Sequence, residues 1–215
     1  MRLSSFLGSL IKDTRDDPVD PTQGRYFSAN GQLASSRIGS EVGFVKSFFT
    51  AQTFSTLPGK RAVVFAGSAR LGMARGYYNA GPLGELPASE RFFAGGDTTV
   101  RGFSRDQLGV RHTPPEPEDT LDPGGFPLGG NALLLLNAEL RVPVASGVRV
   151  VMFGDVGNVY RTVSDLSLTE LRPALGTGFR YKSPVGPIRF DIGFKIPRRI
   201  EESRAEWFIT FGEAF

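Results

Sequence analysis

Between Ile188 and Ile196 the chain alternates without a break: Ile188, Phe190, Ile192, Phe194 and Ile196 are apolar, and Arg189, Asp191, Gly193 and Lys195 between them are charged or small. A period of two is that of an extended strand, so one face is wholly apolar and the other polar. The segment before it repeats the pattern, with Leu171, Leu175, Phe179 and Tyr181 opposite Arg172, Ala174, Gly176, Gly178, Arg180 and Lys182, and SPVG between the two reads as a tight turn. Further back, Leu134, Leu136, Ala138, Leu140 and Val142 share one face, while Leu133 and Leu135 join Asn131, Asn137, Glu139 and Arg141 on the other. Val148, Val150, Met152, Val156 and Tyr160 then stand opposite Arg149, Asp155 and Gly157. The final segment places Trp207, Ile209, Phe211 and Phe215 on one side, so the chain stops on an aromatic residue in mid-strand.

Weaker strand signals cover Leu3 to Ile11, Arg25 to Ala34, Val42 to Leu57 and Ala62 to Met73, which gives about nine strands. The connectors alternate in length: DTRDDPVDPTQG, STLPGK, VPVASG and SPVG are mostly compact, whereas SSRIGSE, residues 77–130, RTVSDLSLTE and PRRIEESRAE are on average longer. One short-turn rim and one long-loop rim describe an antiparallel up-and-down membrane barrel, with apolar residues facing lipid and polar ones facing the lumen. Aromatic residues near strand ends, such as Tyr160, Tyr181, Trp207 and Phe215, suit its interfacial girdles. A soluble sandwich or barrel alternates too, with the faces reversed, and alternation does not tell inside from outside.

Composition narrows the choices. No stretch approaches the roughly 20 apolar residues of a membrane-spanning helix; the longest apolar run is ALLLL at Ala132 to Leu136. One histidine and no cysteine leave no metal or thiol chemistry to expect, and no cofactor. The net charge of +3 comes from scattered Arg and Lys, without the basic run of a nucleic-acid face, so no nucleic-acid partner is expected. The start, MRLSSFLGSLIKD, lacks the hydrophobic segment and cleavage site of an export signal. Bacterial single-chain barrels also use even strand numbers. Both observations lead to the expectation of a fragment, or of one piece of a split barrel, with Met1 on the outer side.

The long connector contains SERFFAGGDTTVRGF, Ser89 to Phe103, and this resembles the signature of the bacterial surface antigen family, the BamA and TamA type of outer-membrane barrels. GGNALLLLNAELRVP from Gly129, FGDVGNVY from Phe153, GTGFRYKSPVGPIRFDIGF from Gly176, the terminal FITFGEAF and the early DTRDDPVDPTQGRYFSANGQL match in order, so the resemblance spans nearly the whole chain. It implies that residues 1–215 are the carboxy-terminal portion of an outer-membrane barrel in a Gram-negative-type envelope. It also implies insertion or translocation of outer-membrane proteins, without catalysis. The implied partners are the bilayer, unfolded outer-membrane proteins and periplasmic or lipoprotein assembly factors. Other functions compatible with the sequence are a two-partner-secretion type transporter, a passive structural barrel or a soluble carbohydrate-active protein.

In that family the longest extracellular loop folds into the barrel and carries the VRGF tip, here Val100, Arg101, Gly102 and Phe103. A connector of this length should have a role of its own. Gly95, Gly96 and Gly102 bracket Arg101 and permit a sharp turn. The resemblance makes Glu139 and Asp155 the acidic partners of Arg101, and the face assignment independently puts both inside. Alternatively they balance Arg141, Arg149 and Arg180, or form a glycosidase-like carboxylate pair. His112, in a polar Pro-rich stretch, is expected to be exposed and idle, and Asp97 to be a turn residue bonding its own backbone. Trp207, Ile209, Phe211 and the terminal Phe215 resemble the strand signal read by the assembly machinery, although Phe215 also reads as a frayed end.

Overall fold

The computed structural model describes residues 1–59, 62–183, 186–199, 201–212 and 214–215. Among these residues nine strands follow one another in sequence order within a single antiparallel sheet: β1 Ser5–Asp13, β2 Gly24–Ala34, β3 Gly43–Thr56, β4 Val64–Tyr78, β5 Ala132–Ala145, β6 Val148–Tyr160, β7 Arg172–Ser183, β8 Gly186–Lys195 and β9 Ala205–Phe211. This is the all-β, up-and-down architecture with one long connector. Pro184, Val185 and Lys60, from two of the expected turns, lie outside the described residues. The tight hairpin after β5 uses Ser146 and Gly147; Gly147 has φ 71°, a left-handed value that glycine adopts without strain.

The two faces separate by parity. Leu136, Leu140, Val150, Met152, Leu175, Phe179, Phe190, Phe194 and Ile209 are exposed on the outer face, and Leu134, Ile188 and Ile192 half-buried there. The inner face carries Glu139, Arg141, Asp155, Arg180, Arg189 and Asp191, all buried. A sheet with its charges inside and its apolar side chains outside needs an apolar surrounding, which reverses the soluble arrangement. No helix among the described residues is long and apolar enough to cross a membrane. Nitroxides at Leu136, Leu140, Phe190 and Ile209 are therefore expected to be reached by a lipid-soluble quencher in bilayers, and labels at Arg189 or Asp191 protected. The reverse pattern would invert the two faces.

The core lies between the inner face and the connector that covers it, with Phe44, Leu86, Phe92, Val100, Phe103, Leu108, Leu133 and Leu135 buried together. Several sequence expectations need correction. β4 runs to Tyr78, past the expected end at Met73, so the connector is residues 79–131. β1 is shifted to Ser5–Asp13 and exposed on both faces. Tyr160 is fully buried beside Val110 and Ala132 and donates its hydroxyl to Ser167 O at 2.5 Å, because the loop after β6 folds over it; it is no girdle residue. Phe215 leaves the face it was assigned to. β9 ends at Phe211, Gly212 turns at φ 91°, and the Phe215 ring packs 6.5 Å from that of Phe54, a buried side chain on the inner face of β3.

Candidate functional site

The long connector folds back onto the inner face through backbone bridges Phe92↔Gly130, Ala94↔Leu108 and Leu121↔Pro127. Gly95 and Gly96 adopt φ 114° and 105°, and Gly102 adopts φ 132°, so the tip makes two turns that side-chain-bearing residues resist. At the tip Val100, Arg101 and Phe103 are each at most 1% exposed. Burial of an arginine at this level is tolerable only with charged partners.

Arg101 has them on three strands. Its Nε and Nη2 donate to Asp155 Oδ2 and Oδ1, both at 2.8 Å, in the bidentate fork that suits guanidinium and carboxylate. Its backbone N–H donates to the same Asp155 Oδ2 at 2.9 Å. Nη1 donates to Glu139 Oε1 and lies 3.6 Å from Asp191 Oδ2. The Phe153 ring centroid sits 3.6 Å from the guanidinium carbon, so one face of the cation rests on an aromatic surface. Asn137 joins the tip to the wall by donating to Thr99 O at 2.5 Å and to Asp155 Oδ1 at 2.8 Å.

The register explains why these groups meet. Asn137 pairs with Asp155 and Glu139 with Phe153 across β5 and β6, so all four project inward within two rungs. Gly176 pairs with Phe153, and Gly178 with Asp191, leaving room on β7 for the larger neighbours. Glu139 also accepts from Arg141 Nε at 2.9 Å and from Arg180 Nη2 at 3.3 Å, and Arg180 reaches Asp191 Oδ1 at 2.5 Å. Glu139 thus contacts both the loop arginine and two arginines of the wall. Arg149 is held elsewhere, by both oxygens of Asp20 at 2.5 and 2.7 Å.

Val100, Arg101, Gly102, Phe103, Glu139 and Asp155 therefore come together in space. Trp207, Ile209 and Phe211 do not join them; they are exposed on the outer face of β9. Sequence reasoning missed Asp191 as a third carboxylate, although it alternates with Arg189 and Lys195 on the same polar face. Two further expectations are corrected. Asp97 does stand in a turn, as expected, but its carboxylate pairs with Arg189 Nη2 at 2.7 Å, because a partner on β8 is within reach once the loop is folded inward. His112 is half-buried and partnered, its Nδ1 2.7 Å from Asp119 Oδ1, with Glu116 Oε2 at 3.7 Å.

The Asp119 hydrogen bond raises the His112 pKa above its ordinary 6.5, against a smaller opposing effect of burial, and Glu116, Asp119 and Glu170 add favourable charge. A group whose folded pKa is raised stabilises fully below the unfolded value and loses that contribution as pH rises through the folded one. Protease resistance of residues 112–119 is expected to fall as pH rises from about 6 to about 9. In His112→Gln it should be flat; an equally steep variant would place the titration elsewhere.

With this geometry in view, comparison with known proteins is informative. The Omp85 superfamily domain matches residues 2–215, and the chain belongs to that superfamily. The chain is 26% identical over 209 residues to the outer membrane protein assembly factor BamA of Nitratidesulfovibrio vulgaris, covering 95% of this chain and 24% of that protein. A SAM50-like protein of Schizosaccharomyces pombe is 28% identical over 199 residues, covering 86% and 38%. In fold, the chain resembles the crystal structure of BamA from Haemophilus ducreyi lacking POTRA domains 1–3, with a TM-score of 0.73 at 20% identity over 97% of this chain and 41% of that one. The chain thus spans well under half of the proteins it resembles. Family and relatives place it in an outer membrane.

Proposed function

We propose that this chain forms part of a barrel wall that inserts other β-barrel proteins into the outer membrane, with the docked VRGF loop bracing the wall from inside. The observation that carries the reading is the pairing of that loop, through Arg101, with β5 and β6 beside a sheet whose last strand pairs, among the described residues, only with β8. An edge with unpaired backbone groups is a template for another strand, and in a bilayer such groups must be satisfied. Relatives carrying the name outer membrane protein assembly factor support the same reading. Unfolded outer-membrane proteins are then the substrates, and periplasmic or lipoprotein factors the partners. Catalysis has no part in it: strand pairing and bilayer entry need no bond to be made or broken.

The test is folding of a urea-unfolded barrel substrate into liposomes, followed by its heat-modifiable gel mobility. Liposomes containing this chain are expected to fold the substrate faster than empty ones, and Arg101→Ala to remove the gain. Equal rates would overturn the proposal. Transfer of a soluble passenger across the liposome, without faster folding, would favour a secretion transporter.

A further inference from the structure

Among the described residues strand β9 is the shortest of the nine, with seven residues, and its backbone ladder there is the one of seven pairs to β8. A strand with one neighbour has half the backbone hydrogen bonds of an interior strand, so side-chain ties weigh more in fixing it. Its upper end carries such ties. Ser104, three residues past Arg101 on the loop, donates its hydroxyl to Glu206 Oε1 of β9 at 2.9 Å. The same oxygen accepts from Ser203 Oγ at 2.5 Å and lies 3.7 Å from Lys195 Nζ, which itself donates to Ser203 Oγ at 2.6 Å.

The connector between β8 and β9 is tied in the same sense. Glu202 is gripped bidentately by Arg172 of β7 at 2.5 and 2.8 Å, and Glu201 pairs with Arg111 of the long loop. The buried Phe103 ring lies beneath two of the cations, 4.7 Å from Arg172 and 5.4 Å from Lys195. A cavity of about 240 Å³, lined by Phe103, Gln107, Arg111, Lys195, Arg199 and Glu201 among others, separates loop and connector. It opens to water on the side of Glu201, whose side chain is 72% exposed, so that pair is screened and weak. Glu206 is half-buried, its side chain 23% exposed against 72% for Glu201, and a hydrogen bond to a charged group is among the stronger kinds.

We infer that Ser104 and Glu206 form a clamp that ties β9, the end strand of the described sheet, to the docked loop, so that Glu206 is a positioning residue for that strand. The inference rests on the proposed assembly role for its purpose: an edge that must accept a strand needs its position set, and the loop sets it. With Arg101 held on β5 and β6 and Ser104 on β9, the tip spans the inner face and links the edge to the middle of the wall.

The experiment is amide hydrogen exchange of residues 205–211 in the full chain in lipid nanodiscs, alongside the liposome folding assay. Ser104→Ala, a change on the loop, is expected to speed exchange in β9 about tenfold, the size of one lost hydrogen bond to a charged group. Glu206→Ala should do the same, the two together little more, and Glu206→Gln, which keeps an acceptor, should restore part of the protection. Unchanged exchange in Ser104→Ala would overturn the clamp. Faster exchange with an unchanged rate of substrate folding would leave the clamp standing and count against the assembly role.

Discussion

Arg101→Ala is expected to release the loop tip from the wall and to destabilise the docked state by about 3–5 kcal/mol, the usual cost of removing one member of a buried ion pair. Most of that cost should fall on one carboxylate. Glu139 keeps Arg141 and Arg180 when Arg101 is gone, whereas Asp155 keeps Asn137 as its direct side-chain donor. The penalty is therefore that of an orphaned Asp155, and neutralising it should help. In an Asp155→Asn background Arg101→Ala should cost markedly less, while in Glu139→Gln it should cost nearly as much as in the wild type. Lysine at position 101 should recover little, since a point charge cannot reproduce the two-pronged bond to Asp155. Chymotryptic cleavage at Phe103, now 1% exposed, reports docking directly. Equal coupling to both carboxylates would show that the wall shares the charge more evenly than the contacts indicate.

The strands from β5 to β8 were legible because a membrane wall imposes one rule on every residue. Outward positions must be apolar, inward ones polar or small, and Ile188 to Lys195 obey it without exception. The rule fails where a side chain is covered by something other than lipid or lumen. Tyr160 has outward parity yet is buried, because the loop after β6 covers it, and a strand period carries no information about such a lid. The end of β4 was lost for a related reason: past Met73, Ala74 and Gly76 read as a loop because they are small, as Gly72 is within the strand. Yet a Cβ at Gly72 would come within 2.8 Å of the Phe92 ring, so the strand is small there to receive the connector.

The candidate site was legible to the extent that its residues alternate on known faces, which placed Glu139 and Asp155 inside before any geometry was available. The partners of Asp97 and His112 were missed because local sequence was weighed without the groups that the folded loop brings near. Arg189 is 92 positions away from Asp97 in sequence, and no local signal announces it. Phe215 shows the limit of counting by twos: parity holds only while the strand continues, and Gly212 ends it.

Gly193→Ala is expected to undock the loop as thoroughly as loss of Arg101, although it removes no interaction. Gly193 lies on the inner face of β8, and the tip backbone crosses directly over it. A Cβ there would collide with Arg101 O and come within 2.5 Å of Arg101 C and 2.8 Å of Gly102 N. Those atoms are backbone, so no side-chain rotation relieves the contact. Gly102 cannot give way on the other side, since its own added Cβ position is 2.9 Å from Ala174 Cβ, which shows how closely the tip is wedged between β7 and β8. Overpacking of this kind costs about 1–3 kcal/mol when a core relaxes. Here relaxation means lifting the tip, and a lift of about 1 Å stretches all three bonds to Asp155 beyond hydrogen-bonding range of their present geometry. Lifting the tip relieves the clash but gives up the ion pair, so the loop should undock to about the same extent as in Arg101→Ala. The strands themselves should be untouched, because the three atoms nearest the added methyl all belong to the loop. The discriminating measurement is paired: chymotryptic cleavage at Phe103 should rise in Gly193→Ala while amide exchange in β7 and β8 stays slow. Fast exchange in both strands would mean that the substitution breaks the wall instead, and protection at Phe103 would mean that the tip has room the packing does not show.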